Sequence, residues 1–271
     1  MAAGKTRAER DRRGVGMLCW RGYADFARAL ESYQAAGLFE LFGEAMVFFQ
    51  DADAEAAALA ARFGLDWRGS AENLGILGGF KAMASAMESE LLLLLENDLP
   101  LVEDREETAR QIELATRLLL SGQAQVVRLR SVREPGQKFD TRAKYARYHG
   151  EGMLPLLRRS LRPGKAKRLA GSAVYVHEQA DRHHRGLIDR SDEGTYLVSA
   201  AALPWTNQSI MLRRDFFLER ILAHAEAHPS RRRVNGHPDI EKEWNGPVWR
   251  RSGWKIGVPS GLFTHERTDR A

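Results

Sequence analysis

Leu91-Leu92-Leu93-Leu94-Leu95-Glu96-Asn97-Asp98 is the stretch that decides the fold. Five leucines are far short of a membrane span, which takes about 20 apolar residues as a helix. A short apolar run that stops abruptly at Glu-Asn-Asp reads as a strand buried on both faces. The chain before it completes the pattern. Gly14 to Trp20 is a glycine-opened apolar run, and Tyr23 to Ala36 has Phe26, Leu30 and Tyr33 at helical spacing, stopped by Gly37. Ala45 to Phe49 is a second strand, and Asp53 is placed to cap an alanine-rich helix ending at Phe63. A loop with Asn73, Gly75, Gly78 and Gly79 then leads to a helix over 80–88. Strand, helix, strand, helix, strand in this order predicts an α/β fold with a mainly parallel sheet flanked by helices.

Composition bounds the class. The chain has 271 residues, 44% of them apolar and 28% charged, ordinary fractions for a folded protein. Lys5 to Arg10 is not followed by an apolar stretch, so no secretory signal is visible, and the single cysteine, Cys19, has no internal partner. Both features predict a cytoplasmic location. The net charge of +5 is unevenly spread: 13 Lys and Arg face only three acids between Arg128 and Arg168, and the rest of the chain is net acidic.

Beyond Asp98, Asp104 to Leu120 reads as a helix, Val126 to Arg130 as a strand, Tyr196 to Ala201 as regular structure and Asp215 to Ala227 as a helix. Glu134 to Arg190 has little periodicity and several prolines, which predicts an irregular basic insertion. With no internal repeat or low-complexity linker, the expected organisation is one domain over 1–271. It comprises a half over 14–130, an insertion over 131–195 and a second half over 196–271.

Glu96 and Asp98 would emerge at the carboxyl edge of the sheet, where open α/β folds bind ligands. Two hard oxygen donors there suit Mg²⁺ or Mn²⁺ held jointly with substrate phosphates. The alternative reading is a turn in which Asp98 caps the next segment. The pattern resembles the GT-A glycosyltransferases, particularly the large inverting family 2-type bacterial enzymes that use nucleotide sugars. Leu91 to Asp98 is similar to the strand ending in their Asp-x-Asp motif, with Glu in place of the first Asp. The resemblance implies that Glu96 contacts the ribose or donor sugar and that Asp98 holds the metal. It also implies that Gln50 and Asp51 recognise the base, and that Asn73-Leu74-Gly75 is the family's Asn-x-Gly segment. Gly79-Phe80-Lys81 replaces a later Ala-Arg-Asn, so Lys81 stands in for the arginine that neutralises phosphate, or is a solvated helix residue.

The second half carries further likenesses. Asn207 to Phe217 resembles the strand and helix start beneath the acceptor. Asp239-Ile240-Glu241, followed by Trp249-Arg250-Arg251 and Gly253 to Val258, resembles the family's acidic pair and returning strand. Transfer to a hydroxyl needs a carboxylate to accept its proton, and the resemblance implies that Glu241 is this base, with Asp239 and then Glu243 behind it. Capping by Asp239 is the plain alternative. Gly261 to His265 resembles the segment that returns a histidine to the metal, which would make His265 a ligand beside Asp98. Trp205, Trp244, Trp249 and Trp254 are candidate sugar platforms or core residues.

These expectations combine into a metal-dependent transferase taking a nucleotide-diphosphate sugar, a UDP-sugar favoured, to a glycan or glycolipid hydroxyl with inversion. The basic insertion would meet an anionic acceptor or make a peripheral contact with an anionic membrane surface. Two other readings remain. A sugar nucleotidyltransferase would need a glycine-rich phosphate loop where Trp20-Arg21-Gly22-Tyr23-Ala24 stands. A nucleic-acid binder would use the basic segment, in which Tyr145 and Tyr148 are the only closely interleaved aromatics; no nucleic-acid partner is expected.

Overall fold

The computed structural model describes residues 7–137, 139–229 and 233–268. Lys138 of the basic segment, and Lys5 and Thr6 of the stretch read for a secretory signal, lie outside them. The strands are β1 (Arg13–Cys19), β2 (Glu44–Gln50), β3 (Asp66–Ser70), β4 (Leu91–Glu96), β5 (Val126–Arg128), β6 (Ile188–Arg190), β7 (Tyr196–Ser199), β8 (Ile210–Arg213) and β9 (Lys255–Val258). They form one nine-stranded sheet in the order β3-β2-β1-β4-β8-β5-β9-β7-β6. β1, β2, β3 and β4 run parallel, and β8 enters antiparallel between β4 and β5.

The leucine run is buried on both faces, as its composition requires. Leu91, Leu93 and Leu95 face one side with Phe26, Tyr33 and Ile112, while Leu92 and Leu94 face the other with Phe80, Phe217 and Trp244. Each leucine is at most 1% exposed. Burying such a side chain is worth about 1.5–3 kcal/mol, so this strand anchors both cores. Helices Tyr23–Ala35, Ala54–Phe63 and Arg105–Leu120 cover the first face, and Gly75–Ala86 with the helical stretch 214–227 covers the second. Asp53 and Asp104 are N-caps, accepting from Ala56 N–H and Glu107 N–H at 2.9 Å each.

The structure departs from the sequence reading in four places. β3 has no apolar run because it is an exposed edge strand, Asp-Trp-Arg-Gly-Ser. The helix expected over 80–88 starts at Gly75, so the glycines read as a loop lie inside it. Gly79 is needed there because a Cβ would sit 2.7 Å from Leu18 Cδ1; its absence lets the helix approach the sheet. The insertion is not irregular: Thr141–His149, Met153–Leu161 and Pro163–Ala170 are short helices. In 214–227 the turn Phe217–Leu222 widens to a π-type turn.

Under the basic segment sits an aromatic and histidine cluster. Tyr145 stacks on His149 and its hydroxyl lies 2.9 Å from His184 Nε2, while His177 and His183 stack with centroids 4.1 Å apart. Burial, then the neighbouring histidines and Arg159, pushes His184 down to about 4, and burial likewise lowers His149 and His177. A histidine kept neutral in the fold stabilises it fully above its unfolded value of about 6.5, and that contribution is lost as pH falls towards the folded value. For partly exposed His184 this amounts to about 2 kcal/mol. Tm is therefore expected to fall by roughly 5 °C between about pH 7 and pH 4.5 from this residue. His184→Phe should flatten that slope in a calorimetric pH series, and an unchanged slope would show that another group carries it.

Candidate active site

The parallel pairing aligns the carboxyl ends of three strands. Leu18 of β1 lies opposite Glu96 of β4, and Cys19 lies opposite Phe49 of β2. Trp20, Gln50 and Glu96-Asn97-Asp98 therefore leave the sheet at one edge, around a cleft of about 300 Å³. From the second half, Asn207, Gln208, Asp239, Glu241 and Arg267 close it.

Four carboxylates, Glu96, Asp98, Asp239 and Glu241, line this one cleft. Burial, and then the charges of Asp98, Glu241 and Asp239, push Glu96 up to about 8. Such a concentration of negative charge calls for a cation or for protons. Asp239 caps helix Ile240–Trp244, its Oδ1 accepting from Glu241 N–H at 3.2 Å. Glu241 is held by its Oε1, which accepts from the Thr206 hydroxyl at 2.9 Å and Asn207 N–H at 3.1 Å. Burial raises its pKa, and these hydrogen bonds partly offset the rise. A carboxylate fixed by one oxygen and made more basic by burial is a suitable proton acceptor.

The last described residues return to the strand end. Thr264 N–H donates to Pro100 O and Glu266 N–H to Asp98 O, both at 3.0 Å. Gly261 lets this segment pass beside the chain after β5: its φ is +84°, and a Cβ would lie 2.1 Å from the Arg130 carbonyl oxygen. The pairing brings His265 Nε2 to 3.2 Å from Asp98 Oδ2. His265 Nδ1 is 3.2 Å from the Gln137 carbonyl, which can only accept, so Nδ1 carries the hydrogen. Nε2 is therefore the ring nitrogen turned to the carboxylate. The other oxygen, Asp98 Oδ1, is buried without a hydrogen-bond partner. Both features fit a divalent ion shared by the two side chains. A spacing of 3.2 Å is near that of adjacent ligands on an ion with bonds of about 2.1 Å, and oxygen with imidazole suits Mn²⁺ or Mg²⁺.

Of the residues singled out in the sequence, Gln50, Asn73, Glu96, Asp98, Asp239 and Glu241 line the cleft, and His265 stands behind Asp98. Gln50 Oε1 accepts from Leu74 N–H, and Asn73 Oδ1 accepts from Gly75 N–H, so both also shape the start of helix Gly75–Ala86. Three candidates lie elsewhere, among them Glu243, which does not line the cleft. Lys81 pairs with Glu226 at 2.6 Å, because the helix turns it away from the cleft. Asp51, at φ 56°, turns out of the strand and pairs with Arg21 at 3.0 Å. Of the tryptophans read as sugar platforms or core residues, Trp205, Trp244 and Trp249 are core: they are at most 3% exposed and pack edge to face. Trp205 Nε1–H donates to Asn207 Oδ1, which makes it a support for the site. Trp20, Gln208, Thr206 and Arg267 escaped the sequence reading; only Arg267, two positions after His265, left a usable signal. Tyr145 and Tyr148 are buried and offer bases no stacking surface.

A second cleft of about 650 Å³ lies beside Arg110, Arg142 and Arg190. Three of the four arginines that line it are engaged: Arg110 with Glu107, Arg142 with the Tyr175 and Val132 carbonyls, and Arg190 with Asp181; Arg133 is the fourth.

No family model matches the chain, and no curated protein matches it. Solved structures do. Glucosyl-3-phosphoglycerate synthase from Mycobacterium tuberculosis, in complex with Mn²⁺, uridine-diphosphate and phosphoglyceric acid, is 14% identical with a TM-score of 0.51, covering 97% of this chain and 72% of its own. The same enzyme with Mg²⁺ and uridine-diphosphate gives a TM-score of 0.51 at 14% identity, over 97% of this chain and 73% of that one. S. aureus TarS 1–349 is 9% identical with a TM-score of 0.50, over 93% of this chain and 60% of that one. The fold is GT-A.

Proposed function

We propose that this protein is a metal-dependent glycosyltransferase. It moves a sugar from a nucleoside-diphosphate sugar to a hydroxyl of a glycan or glycolipid, with inversion. The observation that carries the reading is the Asp98–His265 pair with its unpartnered carboxylate oxygen, set among further carboxylates at the strand carboxyl ends. A UDP-sugar is favoured, since uridine-diphosphate is bound in the solved structures of like fold.

Asp98 and His265 hold Mn²⁺ or Mg²⁺, whose charge offsets that developing on the departing diphosphate. Arg267, on the cleft wall, adds positive charge there. Glu96 contacts the ribose or the donor sugar. Gln50, whose amide oxygen is taken by Leu74 N–H, keeps its amide nitrogen for the nucleotide, and Trp20 offers a ring face. Glu241 accepts the proton of the attacking hydroxyl, with Asp239 fixing its helix. In this scheme residues 14–130 bind the donor, 196–271 supply the acceptor side and catalysis, and 131–195 meet an anionic acceptor or surface.

A thermal-shift screen of UDP-, GDP-, CMP- and dTDP-sugars with and without Mn²⁺ tests the reading. At 100-fold over Kd, a UDP-sugar with Mn²⁺ should raise Tm by roughly 5–10 °C. No shift with any donor would sink it.

A further inference from the structure

Ten large apolar side chains are exposed among the described residues, and five of them sit on one nine-residue helix, Met153–Leu161. Met153, Leu154, Leu156, Leu157 and Leu161 are 54–86% exposed, and no residue of the helix is buried. Leu154, Leu157 and Leu161 recur at i, i+3 and i+7, so they form one stripe, with Met153 beside it. Leucines in water at this density are not explained by packing, because no described residue buries them.

The setting is strongly cationic. Arg158, Arg159, Arg162, Lys165, Lys167 and Arg168 lie on or just after this helix, with no acid between Gly152 and Ala170. None of the six forms an ion pair among the described residues, whereas Arg12, Arg21, Arg62, Arg105, Arg117 and Arg190 each do. The helix is also seated on the body. Arg159 Nη1 donates to the Tyr148 carbonyl at 3.1 Å, and Lys165 Nζ lies 5.7 Å from the centre of the Tyr148 ring, which is itself buried. The polar contacts fix one side of the helix to the protein and leave the leucines outward.

We propose that Met153–Leu161 is an interfacial helix that docks the protein on an anionic bilayer. Its leucines and Met153 enter the boundary between head groups and acyl chains, while the cations not turned to the body meet anionic head groups. The charge selects this occupant. A second copy packed two-fold on the stripe would set six cations against six, at a cost in like-charge repulsion. Nucleic acid would satisfy the cations and leave the leucines in water. The proposal stands apart from the donor reading, because docking is measured with no sugar nucleotide present. If that reading holds, the helix brings the cleft to a surface where a glycolipid acceptor resides.

Co-sedimentation of the full chain with vesicles tests it. Vesicles of phosphatidylcholine with roughly one-third phosphatidylglycerol should bind the protein at least about tenfold more tightly than phosphatidylcholine alone. Raising salt from about 0.1 to about 0.5 M should weaken that binding. Replacing Leu154, Leu157 and Leu161 together by Ser should lower partitioning roughly 100-fold, with circular dichroism and donor-induced thermal shift unchanged. Arg158→Gln with Arg162→Gln and Lys165→Gln should remove the preference for anionic lipid. Absence of vesicle binding, or full binding by the serine variant, overturns the proposal. So does a dimer in solution that the serine variant converts to monomer, since a second copy would then own the stripe.

Discussion

Glu241→Gln is expected to lower kcat about 10³-fold while donor affinity stays within about twofold. The amide keeps an oxygen for the Thr206 hydroxyl and Asn207 N–H, so the helix start and the cleft wall keep their shape. What is lost is the capacity to accept a proton. Burial raises the pKa of Glu241 above its ordinary 4.5, and a base works only when deprotonated. The acid limb of the kcat/KM profile should therefore lie above 4.5 in the parent and vanish in the variant. Asp239→Asn should act differently: it weakens a helix cap, a loss of about 1 kcal/mol or less, and spares turnover. Should that variant abolish turnover while Glu241→Gln does not, the base is Asp239.

Asp98→Asn is expected to remove metal-dependent donor binding and to cut kcat/KM by about 10³-fold, equivalent to about 4 kcal/mol of lost charge stabilisation. The fold should survive. The carboxamide has the same size, and it carries both a donor and an acceptor with which to meet His265 Nε2. The decisive comparison is the donor-induced shift in Tm with and without Mn²⁺. In the parent the metal should enlarge it; in the variant the two shifts should coincide. Full activity, or an undiminished Mn²⁺ effect, would remove Asp98 from the metal site.

The legible parts of the molecule are those whose burial leaves a pattern. Leu91 to Leu95 announces a strand buried on both faces, and Phe26, Leu30 and Tyr33 announce a helix, since water exclusion acts on the same residues the eye picks out. β3 is opaque because an edge strand needs backbone pairing and no apolar face. The insertion is opaque because its middle helix turns its leucines away from the core. In the site, Glu96, Asp98, Asp239 and Glu241 could be chosen because strand ends and helix starts are fixed by the pattern. Lys81 could not be placed, since its direction depends on a helix rotation set by Gly79 lying against Leu18. Trp20 and Trp205 show the limit for aromatics: ring chemistry is the same at both positions, and only packing puts one on the cleft wall and the other behind Asn207.

The place of β8 in the sheet has a consequence for how the chain folds. β4 ends at Glu96 and its neighbour on that side starts at Ile210, so more than a hundred residues must fold back before the edge of β4 is covered. Until then the leucine strand presents unpaired backbone flanked by apolar side chains, the combination most prone to pairing with another chain. Contacts this distant in sequence also slow folding, because loop-closure entropy is spent before the pairing returns any stability. Residues 14–130 are therefore not an autonomous module: cutting the chain after them would leave β4 as a sticky edge, and aggregation would compete with folding.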